Sequence, residues 1–89
     1  MDKREKRRRV TEADERVSAE LRRLRIDTGL TQTEIAAVLG VSFQQWQKYE
    51  RGENRISAGG LFRLLQGIGM SPAEFFRRLE QSTRSPSRR

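Results

Sequence analysis

The stretch TQTEIAAVLGVSFQQWQKYERG, residues 31–52, constrains the fold most, because it carries two helix start signals within one short segment. Thr31 is placed to cap one helix, and Glu34, three residues on, to return a hydrogen bond to the cap backbone. Ser42 and Gln45 repeat that spacing for a second helix. Gly40 between them supplies the left-handed backbone that a sharp helix exit favours. These signals predict helices over roughly 32–39 and 43–51, joined by a turn too short to let them separate.

Two short helices held at a tight crossing need a shared core, and the apolar spacing provides one. Ile35, Ala36 and Leu39 form one stripe, Val41 fills the turn, and Trp46 with Tyr49 forms the next stripe. Phe43, Gln44, Gln47 and Lys48 are left facing outward. A glutamine amide suits the edge of adenine, a lysine ammonium that of guanine, and a phenyl ring the methyl of thymine, so this face fits the major groove of DNA. Glutamine is also a good helix former and surfaces are usually polar, so the amides alone decide little. Their combination with paired start signals and an outward Phe43 points to a helix-turn-helix reader of double-stranded DNA.

The flanking segments predict three more helices. One runs from near Thr11, capped with Asp14 at its third position, to just before Gly29. Val10, Ala13, Val17, Leu21 and Leu24 recur on one of its faces, with Val10 and Ala13 expected to be less buried or to meet a second subunit. Ser57 opens a fourth helix carrying Leu61, Leu64, Leu65 and Ile68. Gly59 and Gly60 weaken its first turn by about 1 kcal/mol each relative to alanine, a loss read as tolerance in a surface turn more than as close backbone approach. Ser71, Pro72 and Glu74 then mark the start of a fifth helix reaching about Leu79. Helical neighbours point about 100° apart, so Phe75 and Phe76 cannot both enter one small core. One of the two rings, with Met70 or Leu79, is therefore a candidate dimer contact, and Met70, Phe75, Phe76 and Leu79 make up the candidate dimer interface; the alternative is that both rings straddle the core boundary of a monomer.

The expected fold is all-α: a compact five-helix domain over 11–80, between a flexible basic arm at 1–10 and a flexible basic tail at 81–89. Charge follows the same division. Residues 1–9 hold six Lys or Arg against two acids, and residues 81–89 hold three Arg, which together account for the net charge of +7. Residues 10–80 are neutral, with ten basic and ten acidic side chains. Sequence-independent attraction to phosphate is thus expected from the ends, foremost the amino-terminal one, and base discrimination from the core, the alternative being that the ends only keep the chain in solution.

Other function classes find little support. The chain has no Cys and no His, which excludes disulfides, thiol chemistry and the usual zinc sites, so neither metal nor cofactor is expected. It shows no phosphate-binding loop and no pair of carboxylates in a recognisable cleft pattern, so an enzyme is not expected. No apolar stretch approaches the length of a membrane span or a secretory signal, and a cytoplasmic, nucleoid-associated location is the expectation.

The residues Leu24-Arg25, Gly29-Leu30-Thr31-Gln32, Ala36, Leu39-Gly40-Val41-Ser42, Tyr49-Glu50-Arg51-Gly52, Ile56-Ser57 and Leu61 onward resemble the lambda-repressor-like, Cro/C1-type (XRE) helix-turn-helix family, over about residues 17–80. The resemblance implies a five-helix domain that binds operator DNA as a symmetric homodimer and regulates transcription. It implies that Phe43, Gln44, Gln47 and Lys48 face the bases, and that Gln32, at the amino end of the second helix, holds a backbone phosphate. Ser42, Arg51, Asn54 and Arg55 are the further phosphate candidates, and Arg25 is implied to pair with Glu50 as a structural ion pair. Trp46 and Phe43 depart from the family pattern, which usually has a small aliphatic residue and a polar residue at those positions. The expected function is a sequence-specific regulator, foremost a repressor, acting on a partly palindromic operator. The alternative is a protein-binding module of the same fold, such as an antitoxin or antiactivator that engages a toxin or regulator.

Overall fold

The computed structural model describes residues 11–84 and builds them into five helices, with no strand among them: α1 Glu12–Thr28, α2 Gln32–Leu39, α3 Phe43–Glu50, α4 Ala58–Ile68 and α5 Pro72–Arg84. The all-α, five-helix expectation is met. Helix α5 runs on to Arg84, four residues into the stretch expected to be tail. The arm at 1–10, including Val10, and residues 85–89 lie outside the described residues.

Local chemistry starts these helices where the caps predict. Thr11 and Thr31 each accept the backbone N–H three residues on, and Asp14 and Glu34 each accept the cap's own N–H, at 3.0 and 2.9 Å, completing two reciprocal boxes. Ser57 and Ser71 accept from the N–H groups of Gly60 and Glu74 at 2.9 and 3.0 Å. Each such cap is worth about 1 kcal/mol. Between α2 and α3 the chain turns at Gly40, whose φ of 86° would strain any residue bearing a Cβ.

Helix α2 packs on α3 and α4, while α1 packs on α3 and α5. Their apolar stripes converge in one core of Leu21, Leu24, Ile35, Ala36, Leu39, Trp46, Leu61, Leu64, Leu65 and Phe75. Each large side chain buried there gains about 1.5–3 kcal/mol over an exposed one. Helices α2 and α4 cross at close range: a Cβ at Gly67 would lie 2.6 Å from Cγ1 of Val38.

The two glycines of the first α4 turn differ. Gly59 faces open space, in line with tolerance, whereas Gly60 is buried and a Cβ there would sit 3.1 Å from Oγ of Ser57. Ala13 is exposed, as expected, while Val17 packs on the core. The early turns of α1 have a bracing role, because Asp14 pairs with Arg55 at 2.9 Å and so ties the loop after α3 to the helix start.

Glu20 is a charged side chain inside this packing, only 1% exposed between α1 and α5. Arg23 reaches it at 2.8 Å and Arg78 of α5 at 3.7 Å, and Arg78 in turn meets Asp27 at 3.3 Å. None of the described helices is long and apolar enough to cross a membrane.

Candidate nucleic-acid interface

The interface is built on α3, whose inner face is locked before its outer face is presented. Trp46 is fully buried and meets Tyr49 edge-on, with ring centroids 6.3 Å apart. Opposite them Phe43, Gln44 and Lys48 are exposed, and Gln47 is half-buried at the rim. The four expected base-facing residues thus share the outer side of one eight-residue helix, about 12 Å long.

Ser42 caps this helix, its Oγ accepting the N–H of Gln45 at 3.0 Å. The reciprocal half of the expected box is not made. The side-chain amide of Gln45 donates to Oδ1 of Asn54 at 3.4 Å instead, tying α3 to the loop that follows it.

Glu50, at the end of α3, is the node that sets the helix in place. Its carboxylate, with the side chain 4% exposed, takes a two-point ion pair from Arg25 of α1 and the indole N–H of Trp46. It also takes the side-chain amide of Gln32, at 3.2 Å from α2. Three helices therefore meet through one side chain. Burial alone would raise the Glu50 carboxyl, but the hydrogen bonds from Arg25, Trp46 and Gln32, with the Arg25 charge, outweigh it and hold the group below its ordinary value. The departure from a small aliphatic residue at Trp46 is thereby explained, since its polar edge is satisfied inside the core.

Gln32 spends one amide hydrogen on Glu50 and keeps the other. It opens α2, where Thr31 takes up the N–H of Glu34 and leaves those of Gln32 and Thr33 at the positive end of the helix dipole, a natural seat for phosphate. The other phosphate candidates are engaged within the chain: Arg51 with Glu53 at 3.2 Å, and Arg55 with Asp14 at 2.9 Å. Exposed pairs of this kind are worth only about 0–1 kcal/mol, so exchange for a phosphate is inexpensive. The Asp14 carboxyl is held below its ordinary value, first through the backbone hydrogen bond from Thr11, then through the Thr11 hydroxyl, with burial opposing and Arg55 adding to the lowering.

The candidate dimer residues divide. Phe75 is fully buried in its own core, which removes it from any surface between subunits, while the adjoining Phe76 ring is 49% exposed. Met70 and Leu79 are half-buried against the core. Phe62 of α4, 51% exposed, is a second outward ring that spacing alone did not single out. No group of three or more acidic, His or Cys side chains is placed to hold a metal ion among the described residues.

A family profile described as a helix-turn-helix domain matches residues 16–77. The chain is 35% identical over 82 residues to the uncharacterized HTH-type transcriptional regulator y4wC of Sinorhizobium fredii, covering 92% of this chain and 57% of that protein. It is 40% identical over 72 residues to an uncharacterized transcriptional regulator in the ATPase CF(0) region of Rhodospirillum rubrum, covering 81% and 67%. Among solved structures, the clp gene regulator ClgR from Corynebacterium glutamicum superimposes with a TM-score of 0.75 at 28% identity, over 84% of this chain and 97% of that one. The restriction-modification controller protein C.Esp1396I shares the fold alone, with a TM-score of 0.77 at 20% identity, over 82% and 95%. The chain spans 57–60% of the length of several of its curated relatives.

Proposed function

This chain belongs to the helix-turn-helix family, and on that premise we propose that it is a transcriptional regulator reading a specific operator through α3. The observation that carries the reading is the division of that helix. Trp46 and Glu50 are fixed inward by three helices, and Phe43, Gln44 and Lys48 are held outward together. Rigid presentation lets an amide and an ammonium select base edges without losing much side-chain and helix freedom on binding.

In this reading Gln47 completes the base-facing set, Gln32 with the first N–H groups of α2 holds a phosphate, and Ser42, Arg51, Asn54 and Arg55 add contacts along the backbone. The protein acts as a homodimer through Phe76, with Met70 and Leu79 beside it, and places two α3 helices in successive major grooves of a partly palindromic site. Occupying such a site near a promoter makes repression the expected outcome.

Substitution tests the two halves separately. Gln44→Ala is expected to cost about 1–3 kcal/mol at one operator position while leaving scrambled duplex binding nearly unchanged. Anisotropy titrations against operators varied base by base measure it, and an equal loss on all DNA would remove Gln44 from base reading. Phe76→Glu places a charge on the exposed ring position and is expected to lower the sedimentation mass from dimer toward monomer, weakening operator binding with it. An unchanged mass takes Phe76 out of the subunit interface.

A further inference from the structure

The described domain is a nearly closed system of charges, and its exceptions are informative. Arg16, Arg23, Arg25, Arg51, Arg55, Arg77 and Arg78 each sit within an ion pair, and Arg63 donates to the carbonyl of Leu39 at 3.3 Å. Among the described side chains this leaves two cations with no hydrogen bond or ion pair to any described residue, Lys48 and Arg22. Lys48 lies on the outer face of α3. Arg22 lies on α1, one turn before Arg25 and exposed.

Arg22 is not isolated from the interface. It lines a groove of about 290 Å³ together with Arg25, Gln32, Gln47, Glu50 and Arg51. The same guanidinium borders a second groove, of about 390 Å³, that runs along α1 past Ala19 and Ile26 and shares Glu50 and Arg51 with the first. Glu50 has its charge met by Arg25, so it does not neutralise Arg22 or Arg51. Arg51 is met in turn by Glu53, so the positive charge left on the rim that continues from Gln32 and Gln47 onto α1 is that of Arg22, which pairs with no described residue.

We propose that Arg22 binds a DNA backbone phosphate in this groove and so extends the footprint from α2 and α3 onto α1. The inference rests on the reading of α3 as a base reader, because the groove faces DNA only when Gln47 does. An exposed arginine without a partner holds a phosphate with two donors in a fixed fork and surrenders no internal contact. Arg51, opposite it, exchanges Glu53 for a phosphate, whereas Arg22 exchanges no contact with a described residue.

The test compares wild type, Arg22→Ala and Arg51→Ala on the operator and on scrambled duplex across a salt series, with circular dichroism melts confirming folding. Arg22→Ala is expected to melt as wild type does, to weaken both duplexes by the same factor, and to reduce the slope of log K against log salt by about 0.9 per protomer. Neutral methylphosphonates walked singly along the operator are expected to reveal one position per half-site that weakens wild type and leaves Arg22→Ala unaffected. Unchanged affinity and slope in Arg22→Ala, with wild type still selective for the operator, would overturn the proposal alone and leave the groove to an acidic protein segment. Loss of operator selectivity in wild type itself would overturn the α3 reading and this inference together.

Discussion

Glu50→Ala is expected to lower the free energy of unfolding by about 3–5 kcal/mol, much of the margin of a domain this small. The cost does not come from one lost ion pair. Removing the carboxylate leaves the Arg25 guanidinium, 18% exposed, without its counter-charge, and the indole N–H of Trp46 without an acceptor in the core. It also frees Gln32 from α2's attachment to α3. Urea unfolding at constant m-value measures the loss, and Glu50→Gln, which keeps the shape and one acceptor, is expected to lose less. A cost under about 1 kcal/mol would reduce the node to an ordinary surface pair.

The same carboxylate makes stability depend on pH, and the sign follows from its lowered value. A carboxyl held below its ordinary 4.5 in the folded chain contributes stability that is present above that value and lost as pH falls through the folded one. Asp14 is shifted the same way from 3.8, so both groups weaken the domain on acidification and neither does so near neutrality. Glu50→Gln is expected to flatten the acid limb of the stability curve.

Trp46→Ala is the second large effect, expected to cost about 3–5 kcal/mol through the cavity it opens at the junction of α1, α2 and α3. Trp46 is the chain's one tryptophan and is fully buried. Trp46→Phe retains most of the volume and loses the hydrogen bond to Glu50, so its expected cost is about 1–2 kcal/mol. Far-ultraviolet dichroism melts measure both variants, since the substitutions remove the fluorescent probe. Equal losses would show that the hydrogen bond, not the packing, fixes the residue.

Local chemistry was legible in the chain and tertiary choice was not. The caps at Thr11, Thr31, Ser42, Ser57 and Ser71 could be read because each involves a side chain and a backbone group three residues away. The division of Phe75 from Phe76 could be read as a difference, but which ring goes inward depends on how α5 lies on α1. The amide of Gln45 reaches Asn54, Arg55 reaches Asp14, and Gly67 meets Val38, all contacts between separate elements that no spacing rule anticipates. Glu20 is the extreme case: a charged residue in the sequence pattern that ends up buried, with Arg23 of its own helix at 2.8 Å and Arg78 of α5 at 3.7 Å.

The Arg25–Glu50 pair was implied by resemblance and is present, yet the resemblance did not include Trp46 and Gln32 as its further partners. Arg22 and Arg23 are neighbours in the sequence, and nothing in the chain distinguishes one from the other. Only the pairing of Arg23 with Glu20, and the absence of any such pairing for Arg22 among the described residues, separates them.

The most direct test of base reading by α3 is selection of bound sequences from a random duplex library at near-physiological salt, followed by titration of the winner against scrambled DNA. The predicted result is an inverted, paired motif bound at least ~10³-fold more tightly than scrambled duplex. Weak, salt-sensitive binding with no enriched motif would contradict it and leave the basic ends as the source of DNA affinity.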